Sequence, residues 1–596
     1  MKVKLSDYVV DFLVKNKVCT CFSVTGGGAM HLNHSFAANK KMNVVYNHHE
    51  QSCTMAAESY YRLNNRISAA NVTSGPGGTN AITGVYGAYV DSIPMIIISG
   101  QVKLETTVYS SKQNLRQLGD QEIDIIPLIS SVTKYSTMVT SPSKIRYVLE
   151  KALFEATNNR CGPVWIDIPL DIQSSIIETS NLRGYKQRTI PTSSNINPKI
   201  KNIYSEINKS KRPVILAGNG IRLSDSHSVF KKLVSKLKIP ITTAFNGHDV
   251  IEESNQFYIG RPGTVGDRAG NFAVQNSDLL IVLGSRLNIR QVSYNYKSFA
   301  RFAKLIYVDI DKNELNKETL NPYMKVQCDL KIFIDKMLTK TSLLKKNFKP
   351  WVIWCKERKD KYPVVLKKYS QSNIINPYYF IKLLSKKIKS NSIIVTGNGT
   401  AIVTAFQAFE IKKGLRLWSN SGCAAMGYDL PAAIGACIAN SNREIYCITG
   451  DGSIMMNIQE LQTITGYNLP IKIILLNNLG YSSIFQTQKN FFNNMEFGAG
   501  PNSGVTFPSF QILCKGFDIK YSKCSKTKNL SNSLDRVIKS KSSYFLELMV
   551  DPKQIFAPKL SAKQHSDGTI TSPPLEDMSP FLPEDELNAN MLVKDE

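Results

Sequence analysis

The sequence predicts an α/β protein of three doubly wound parallel-sheet units, and three observations carry that reading. Short runs rich in Val and Ile recur along all 596 residues, each followed by a Gly-rich turn and a longer amphipathic stretch. This is the pattern of buried parallel strands joined by crossover helices. The runs fall into three series divided by polar, Pro-containing or Lys-rich connectors. A chain of this length exceeds what one hydrophobic core supports, so two to four domains are expected.

Taken in order, the N-terminal MKVKLSDYVVDFLVKNK interrupts its apolar residues at helical spacing. No apolar run in the chain reaches membrane-spanning length, so neither export nor a membrane anchor is expected. The first unit, residues 1–180, places strands near 20–24, 68–73, 95–99 and 164–168, with a further apolar strand ending before His48. A polar connector over 180–199 leads into the second unit, residues 195–340, with strands at 214–217, 239–243, 279–283 and 305–308. The stretch 345–373 is Lys-rich, and its densest part, 344–368, alternates Lys and Arg with Trp351, Trp354 and Tyr362. That composition suits an amphipathic linker helix with its lysines in water. The third unit, residues 370–555, carries strands at 393–396, 445–449, 471–476 and 544–550. From His565 onward the tail (556–596) holds eight acidic residues against one Lys and is broken by prolines. It is expected to pack as an extended segment or to stay mobile.

Composition narrows the function classes. With 42% hydrophobic and 20% charged residues the chain is neither disordered nor fibrous in type. Its net charge of +26 is spread along the whole chain instead of gathering in one basic and aromatic stretch, so no nucleic-acid partner is expected. Eleven cysteines without a CxxC pair argue against a disulfide framework or a zinc site and for a reducing, cytoplasmic setting.

The strongest chemical signal is Gly450-Asp451-Gly452-Ser453, which follows a buried strand and opens a helix, with Asn477-Asn478 standing 24 residues beyond Ser453 at the next strand end. A carboxylate and an amide at neighbouring strand ends offer hard oxygen ligands for Mg²⁺, and the glycines let backbone N–H groups approach a diphosphate at the helix start. Either motif alone reads as a turn; the pair in this context points to a metal-diphosphate site.

This pairing resembles the thiamine diphosphate motif, and the resemblance implies Mg²⁺ ligation by Asp451, Asn478 and the carbonyl of Gly480. His48-His49-Glu50-Gln51, followed by the helix MAAESYYR, closely resembles the HEQ segment of acetolactate synthases (acetohydroxyacid synthase large subunits). The family role falls to Glu50: a carboxyl beside the cofactor's pyrimidine favours the imino tautomer, whose nitrogen removes the thiazolium C2 proton. Gly26-Gly27-Gly28, Ser74-Gly75-Pro76-Gly77-Gly78 and Asp91-Ser92-Ile93-Pro94-Met95 resemble segments of the same family. Gly28, Gly75 and Gly77 would let backbone approach cofactor and substrate, though tight turns alone also account for them. Gln121 and Lys134 match positions lining the family's substrate pocket. Met426, in a segment similar to the family's GxGAMG, would wedge under the cofactor, although Met in such a place is usually plain core.

In the middle unit, Gly218-Asn219-Gly220-Ile221-Arg222, Gly260-Arg261-Pro262-Gly263-Thr264, Gly284-Ser285-Arg286 and Asp309-Ile310-Asp311 resemble FAD-binding segments of acetolactate synthases. Arg286 and Arg290 would face a flavin diphosphate. Related enzymes keep this unit without FAD or bind ADP there, and the motif does not separate these cases. The first unit would then be the pyrimidine-binding domain, the second the central FAD or nucleotide domain and the third the diphosphate-binding domain. Because Glu50 and the diphosphate site come from different subunits in this family, a homodimer or tetramer is implied.

Two departures fall on the acceptor side of the pocket. After Asn477-Asn478 the chain reads Leu479-Gly480-Tyr481-Ser482-Ser483-Ile484-Phe485, lacking the family's longer segment and its pocket Trp. Asp120 stands before Gln121 where the family has Phe. With GVTFPSF (504–510) and PLEDMSPFL in the tail, these features resemble carboligases of surface-polysaccharide pathways that add an acetyl unit to a keto-sugar nucleotide. The expected function is 2-oxo acid decarboxylation and carboligation. Alternatives are acetyl transfer to a keto sugar, non-oxidative decarboxylation with aldehyde release, or a non-catalytic binding protein on the same scaffold.

Overall fold

The structure is a computed structural model, and it describes residues 1–187, 196–439, 443–493, 495–564 and 567–593. Residues 188–195 of the expected connector and 594–596 of the tail lie outside the described residues. Three six-stranded sheets, every strand parallel, organise the chain. The first runs in spatial order Asn43–Tyr46, Thr20–Ser23, Ala69–Val72, Ile96–Gln101, Val164–Pro169, Tyr135–Met138. The second runs Tyr258–Gly260, Ile241–Thr243, Pro213–Ala217, Leu279–Leu283, Lys304–Asp309, Met324–Gln327. The third runs Arg416–Trp418, Ile393–Thr396, Ile445–Gly450, Ile471–Asn477, Tyr544–Met549, Lys520–Cys524. By chain order the first and third are 2-1-3-4-6-5, and the second is 3-2-1-4-5-6, the dinucleotide-fold order.

In each sheet the four central strands are those the apolar runs predicted. The edge strands are only partly buried, as at Tyr135–Met138 and Lys520–Cys524, or just three residues long, as at Tyr258–Gly260 and Arg416–Trp418. Only a strand covered on both faces reads as a continuous apolar run, so of the six edges only the one before His48 was expected. A short antiparallel pair, Lys2–Lys4 with Ile176–Glu178, closes the first unit on itself.

The first and third units share a core. Helix Glu50–Asn64, whose start is capped by the His49 side chain accepting from the Gln51 N–H, lies against helix Asp429–Ala439. Ala56, Ala57 and Tyr60 pack there with Leu430, Ala433 and Ile434. The crossing is close because residue 435 is Gly: a Cβ there would stand within 2.7 Å of the Ala56 carbonyl carbon. The middle unit is tied to the third by Asp249, fully buried between Arg222 (3.2 Å) and Arg416 (2.5 Å), and to the first by Arg160, which reaches Asp311 and Glu314.

The Lys-rich linker forms two helices, Lys349–Lys361 and Lys367–Gln371, not one, because Pro363 interrupts the run. Trp351 is buried against the middle sheet and donates to the Pro213 carbonyl, while Lys359 and Lys361 pair with Glu253 and Glu586. The described tail packs in extended form and ends in the short helix Glu584–Ala589. Leu575 and Met578 are fully buried, and Glu576 receives Gln275 and pairs with Arg301 at 2.9 Å. No helix of the described residues is long and apolar enough to cross a membrane.

Candidate active site

In the third sheet the register sets Gly450 beside Leu476, so the strand ends bearing Asp451 and Asn477-Asn478 emerge as neighbours at the carboxyl edge. Asp451 is the hub. Its Oδ1 accepts from Gly452 N at 2.8 Å and its Oδ2 from the N–H groups of Asn478 (3.1 Å) and Gly480 (3.0 Å). Burial pushes its pKa up to about 6, opposed by those backbone donors. Asn478 donates through Nδ2 to Thr400 Oγ1 at 3.2 Å and to Ser482, yet its buried Oδ1 has no partner. Gly480 adopts φ +152 and passes too close to Phe485 and Gly500 to carry a side chain. Gly452 leaves room for the Tyr481 ring, whereas a Cβ on Gly450 would meet only open space. Ser453 donates to Asp429 at 2.5 Å and accepts from Gly427 N, fixing the loop that carries Met426.

These residues line a cavity of about 870 Å³ together with Met426, Gly399, Arg290, Thr264 and the tail residues Phe556, Lys559 and Leu560. Met426 is 37% exposed and faces this space, not the core. Asn398-Gly399-Thr400, at the end of strand Ile393–Thr396, and Tyr481 belong to the same wall. Sequence reasoning missed Asn398-Gly399-Thr400, although a Gly-punctuated turn after an apolar strand is the signal it used elsewhere.

The residues expected from the first unit gather at a different place. Glu50 is buried at the start of its helix and accepts from Asn80 Nδ2 at 3.1 Å. A Cβ on Gly77 would lie 3.5 Å from Glu50 Oε1, and Gly75, at φ +59, has no room for one against the Gln121 carbonyl. Gly28 N donates to Thr73 Oγ1 at 3.1 Å, and Gln173 donates to the Gly28 carbonyl. Gln121 and Asp120 are exposed on a loop gathered by the buried Glu122, which accepts from the N–H groups of Leu118 and Gly119 at 2.9 Å. None of these residues lines the larger cavity of the same chain.

Lys134 is placed differently from expectation. Its ammonium donates to the carbonyls of Glu155, in the last turn of helix Ile145–Thr157, and of Asn158, just past it, where the last carbonyls of a helix lack internal partners, and it lines neither cavity described here.

In the middle sheet, the crevice between Pro213–Ala217 and Leu279–Leu283 is the topological switch point, where α/β sheets bind ligands. A second cavity of about 150 Å³ opens there, lined by Gly220, Gly284, Arg286, Arg290, Asp309 and Asp91, among others. Burial pushes Asp309 up to about 6, and Arg286 stands 3.6 Å from Asp91. Gly218 and Gly220 let their loop approach the backbone of Gly284. Arg290 lines both cavities, so the two adjoin. Four expected residues are not in this lining: Gly218 packs against the Gly284 and Ser285 backbone, Arg222 is committed to Asp249, Thr264 faces the larger cavity, and Gly263 packs against the Arg290 carbonyl.

The comparisons with known proteins agree with this geometry. Residues 3–127 match the thiamine pyrophosphate enzyme N-terminal TPP binding domain, 200–337 the central domain and 397–548 the C-terminal TPP binding domain. The chain is 30% identical over 573 residues to an acetolactate synthase large subunit of Lactococcus lactis, covering 95% of this chain and 96% of that one. It is 32% identical over 555 residues to the Cyanidium caldarium acetolactate synthase large subunit, covering 91% and 92%. A chloroplastic acetolactate synthase of Arabidopsis thaliana is 31% identical over 590 residues, covering 95% and 84%.

Proposed function

The chain belongs to the acetolactate synthase-like family of thiamine diphosphate-dependent enzymes, and from that premise we propose that it decarboxylates pyruvate or a close 2-oxo acid and passes the acyl unit to a carbonyl acceptor. The observation that carries the site assignment is the unpartnered, buried Oδ1 of Asn478 beside the Asp451 carboxylate. An orphaned acceptor is costly unless a ligand satisfies it, and an amide oxygen, one carboxylate and the Gly480 carbonyl form a hard-oxygen set suited to Mg²⁺. Only one of these ligands is acidic, which leaves the metal charge to be balanced by a diphosphate.

When bound, thiamine diphosphate supplies a carbon nucleophile for the keto carbon and an electron sink for loss of CO₂. The chain's own groups would do the rest. The open side of Gly450 and the N–H groups opening helix Asp451–Ile454 receive the diphosphate. Met426 supports the bound ring from the cavity wall. Glu50, oriented by Asn80, holds and returns a proton at the aminopyrimidine. Since no lining residue of the larger cavity comes from the first unit, Glu50, Gly28, Gly75, Gly77 and Gln121 would be supplied by a second copy, making the working form a homodimer or a tetramer built from it.

FAD is assigned to the switch-point cavity, with Arg286 and Arg290 toward its diphosphate and Asp309 toward a ribose. The smaller cavity alone admits only part of a dinucleotide, and the larger one adjoins it at Arg290. A cytoplasmic setting is favoured by eleven free cysteines, eight of them buried and inert.

The test is an NMR time course of purified protein with Mg²⁺, thiamine diphosphate and pyruvate. Acetolactate as product supports the leading reading. Pyruvate turnover that requires an added keto sugar supports the second, which the serine-lined helix start at Ser482-Ser483 and the exposed Asp120 favour over a tryptophan-walled pocket. Aldehyde as sole product with acceptors present would overturn carboligation, and failure to bind thiamine diphosphate would overturn the site assignment.

A further inference from the structure

The larger cavity holds a charge imbalance that the proposed chemistry at Asp451 does not use. Its charged lining residues are Arg290, Asp451 and Lys559. Asp451 is engaged by three backbone N–H groups. The Arg290 guanidinium lies over the Phe245 ring, 5.1 Å from its centroid, and forms no ion pair with the described residues. The Lys559 ammonium has neither hydrogen bond nor ion pair among the described residues; burial lowers its pKa, and no acid opposes the shift.

Lys559 is not a loose surface lysine. Its backbone exchanges two hydrogen bonds with Ser579, at 2.9 and 2.8 Å, and the next residue donates to the Thr264 carbonyl at 2.8 Å. Phe556, Ala557 and Pro558 just before it are buried, so the tail delivers this side chain to the cavity wall from a fixed strap. A half-buried cation without a counter-charge is unfavourable in the empty protein and becomes favourable once an anion enters.

We propose that Lys559 recognises the acceptor: its ammonium binds an anionic group, a phosphoryl group above all, on the molecule that receives the acyl unit. This rests on the carboligase reading above. With Arg290 assigned to the dinucleotide diphosphate, Lys559 is the cation this lining leaves for the acceptor, and a phosphoryl group, which carries about two negative charges near pH 7, answers it most strongly. Charge-assisted contacts of this kind discriminate by about tenfold or more.

The experiment is calorimetric titration of the full-length protein, loaded with Mg²⁺ and thiamine diphosphate, with dihydroxyacetone phosphate, 2-oxobutyrate and neutral dihydroxyacetone. Wild type, Lys559→Met and Lys559→Arg are compared. The expected result is a preference for the phosphorylated over the neutral ketone that falls about tenfold or more in Lys559→Met and is retained in Lys559→Arg. A preference for 2-oxobutyrate lost in the same way supports the anion site and assigns it to a carboxylate. Equal weakening for charged and neutral ligands, or no preference in wild type, overturns the proposal. So does a comparable loss of thiamine diphosphate affinity in Lys559→Met, because the lysine would then serve the cofactor. Charge-selective binding by a wild type that leaves pyruvate untouched defeats the carboligase reading while the anion site stands. Thermal melts of the ligand-free variants separate misfolding from lost recognition.

Discussion

Replacing Asn478 by Ala separates what this residue does for the empty fold from what it does for a bound metal. The substitution removes two donations, to Thr400 and Ser482, worth about 1 kcal/mol each. It also removes a buried acceptor with no partner, whose desolvation costs about 1–3 kcal/mol. The two effects nearly cancel, so stability without ligands is expected within about 1–2 kcal/mol of wild type. With ligand at about 100 times its Kd, binding adds about 2.7 kcal/mol to wild type, and a hundredfold loss of metal affinity cuts that gain to about 0.4 kcal/mol. Urea unfolding with and without Mg²⁺ and thiamine diphosphate reads both quantities. An undiminished ligand increment in Asn478→Ala, or a ligand-free loss of several kcal/mol, would refute the assignment of Asn478 as a metal ligand.

Glu50→Gln is expected to lower pyruvate turnover by about 10²–10⁴-fold while thiamine diphosphate still binds, as measured by steady-state kinetics beside calorimetry. Gly435→Ala forces a methyl into the Ala56 backbone at the helix crossing and should cost about 1–3 kcal/mol or more in urea midpoint analysis. For Asp249, burial opposes ionisation, but Arg222 and Arg416 outweigh it and hold the carboxyl well below the usual range. Its contribution is therefore complete above the unfolded value, near pH 4, and is lost as pH falls below that. Asp249→Asn should cost about 3–5 kcal/mol at neutral pH, by leaving two buried arginines unpaired, and should flatten the acid limb of a stability profile.

The parts of the fold legible in the sequence are those where burial is two-sided. Strands such as Leu279–Leu283 and Ile471–Asn477 are covered on both faces and read as unbroken apolar runs. Met324–Gln327, with one buried residue in four, is indistinguishable from loop without its neighbour. The Asp451 and Asn478 group was legible because its residues stand at two successive strand ends, Gly450-Asp451-Gly452 after one and Asn477-Asn478 after the next. The second group, around Glu50, was legible only through family resemblance, since nothing in its local pattern separates it from a helix cap. The partners that Lys134 and Arg222 take within the chain, the carbonyls at the end of helix Ile145–Thr157 and the carboxylate of Asp249, are distant in sequence and left no local signal. Lys559 escaped notice because a tail that joins the cavity wall in extended form leaves no periodic signal.

The most direct test of a site shared between two copies is subunit mixing. Glu50→Gln and Asn478→Ala proteins, each with little activity alone, are combined in equal amounts, dissociated, reassociated and assayed for pyruvate consumption. If Glu50 of one copy serves Asp451 and Asn478 of the other, half the dimers are hybrids with one intact site each, and activity returns to about a quarter of wild type. If the mixture stays as inactive as its components although hybrid dimers have formed, Glu50 and the metal site act within one chain, and the shared-site assignment is contradicted.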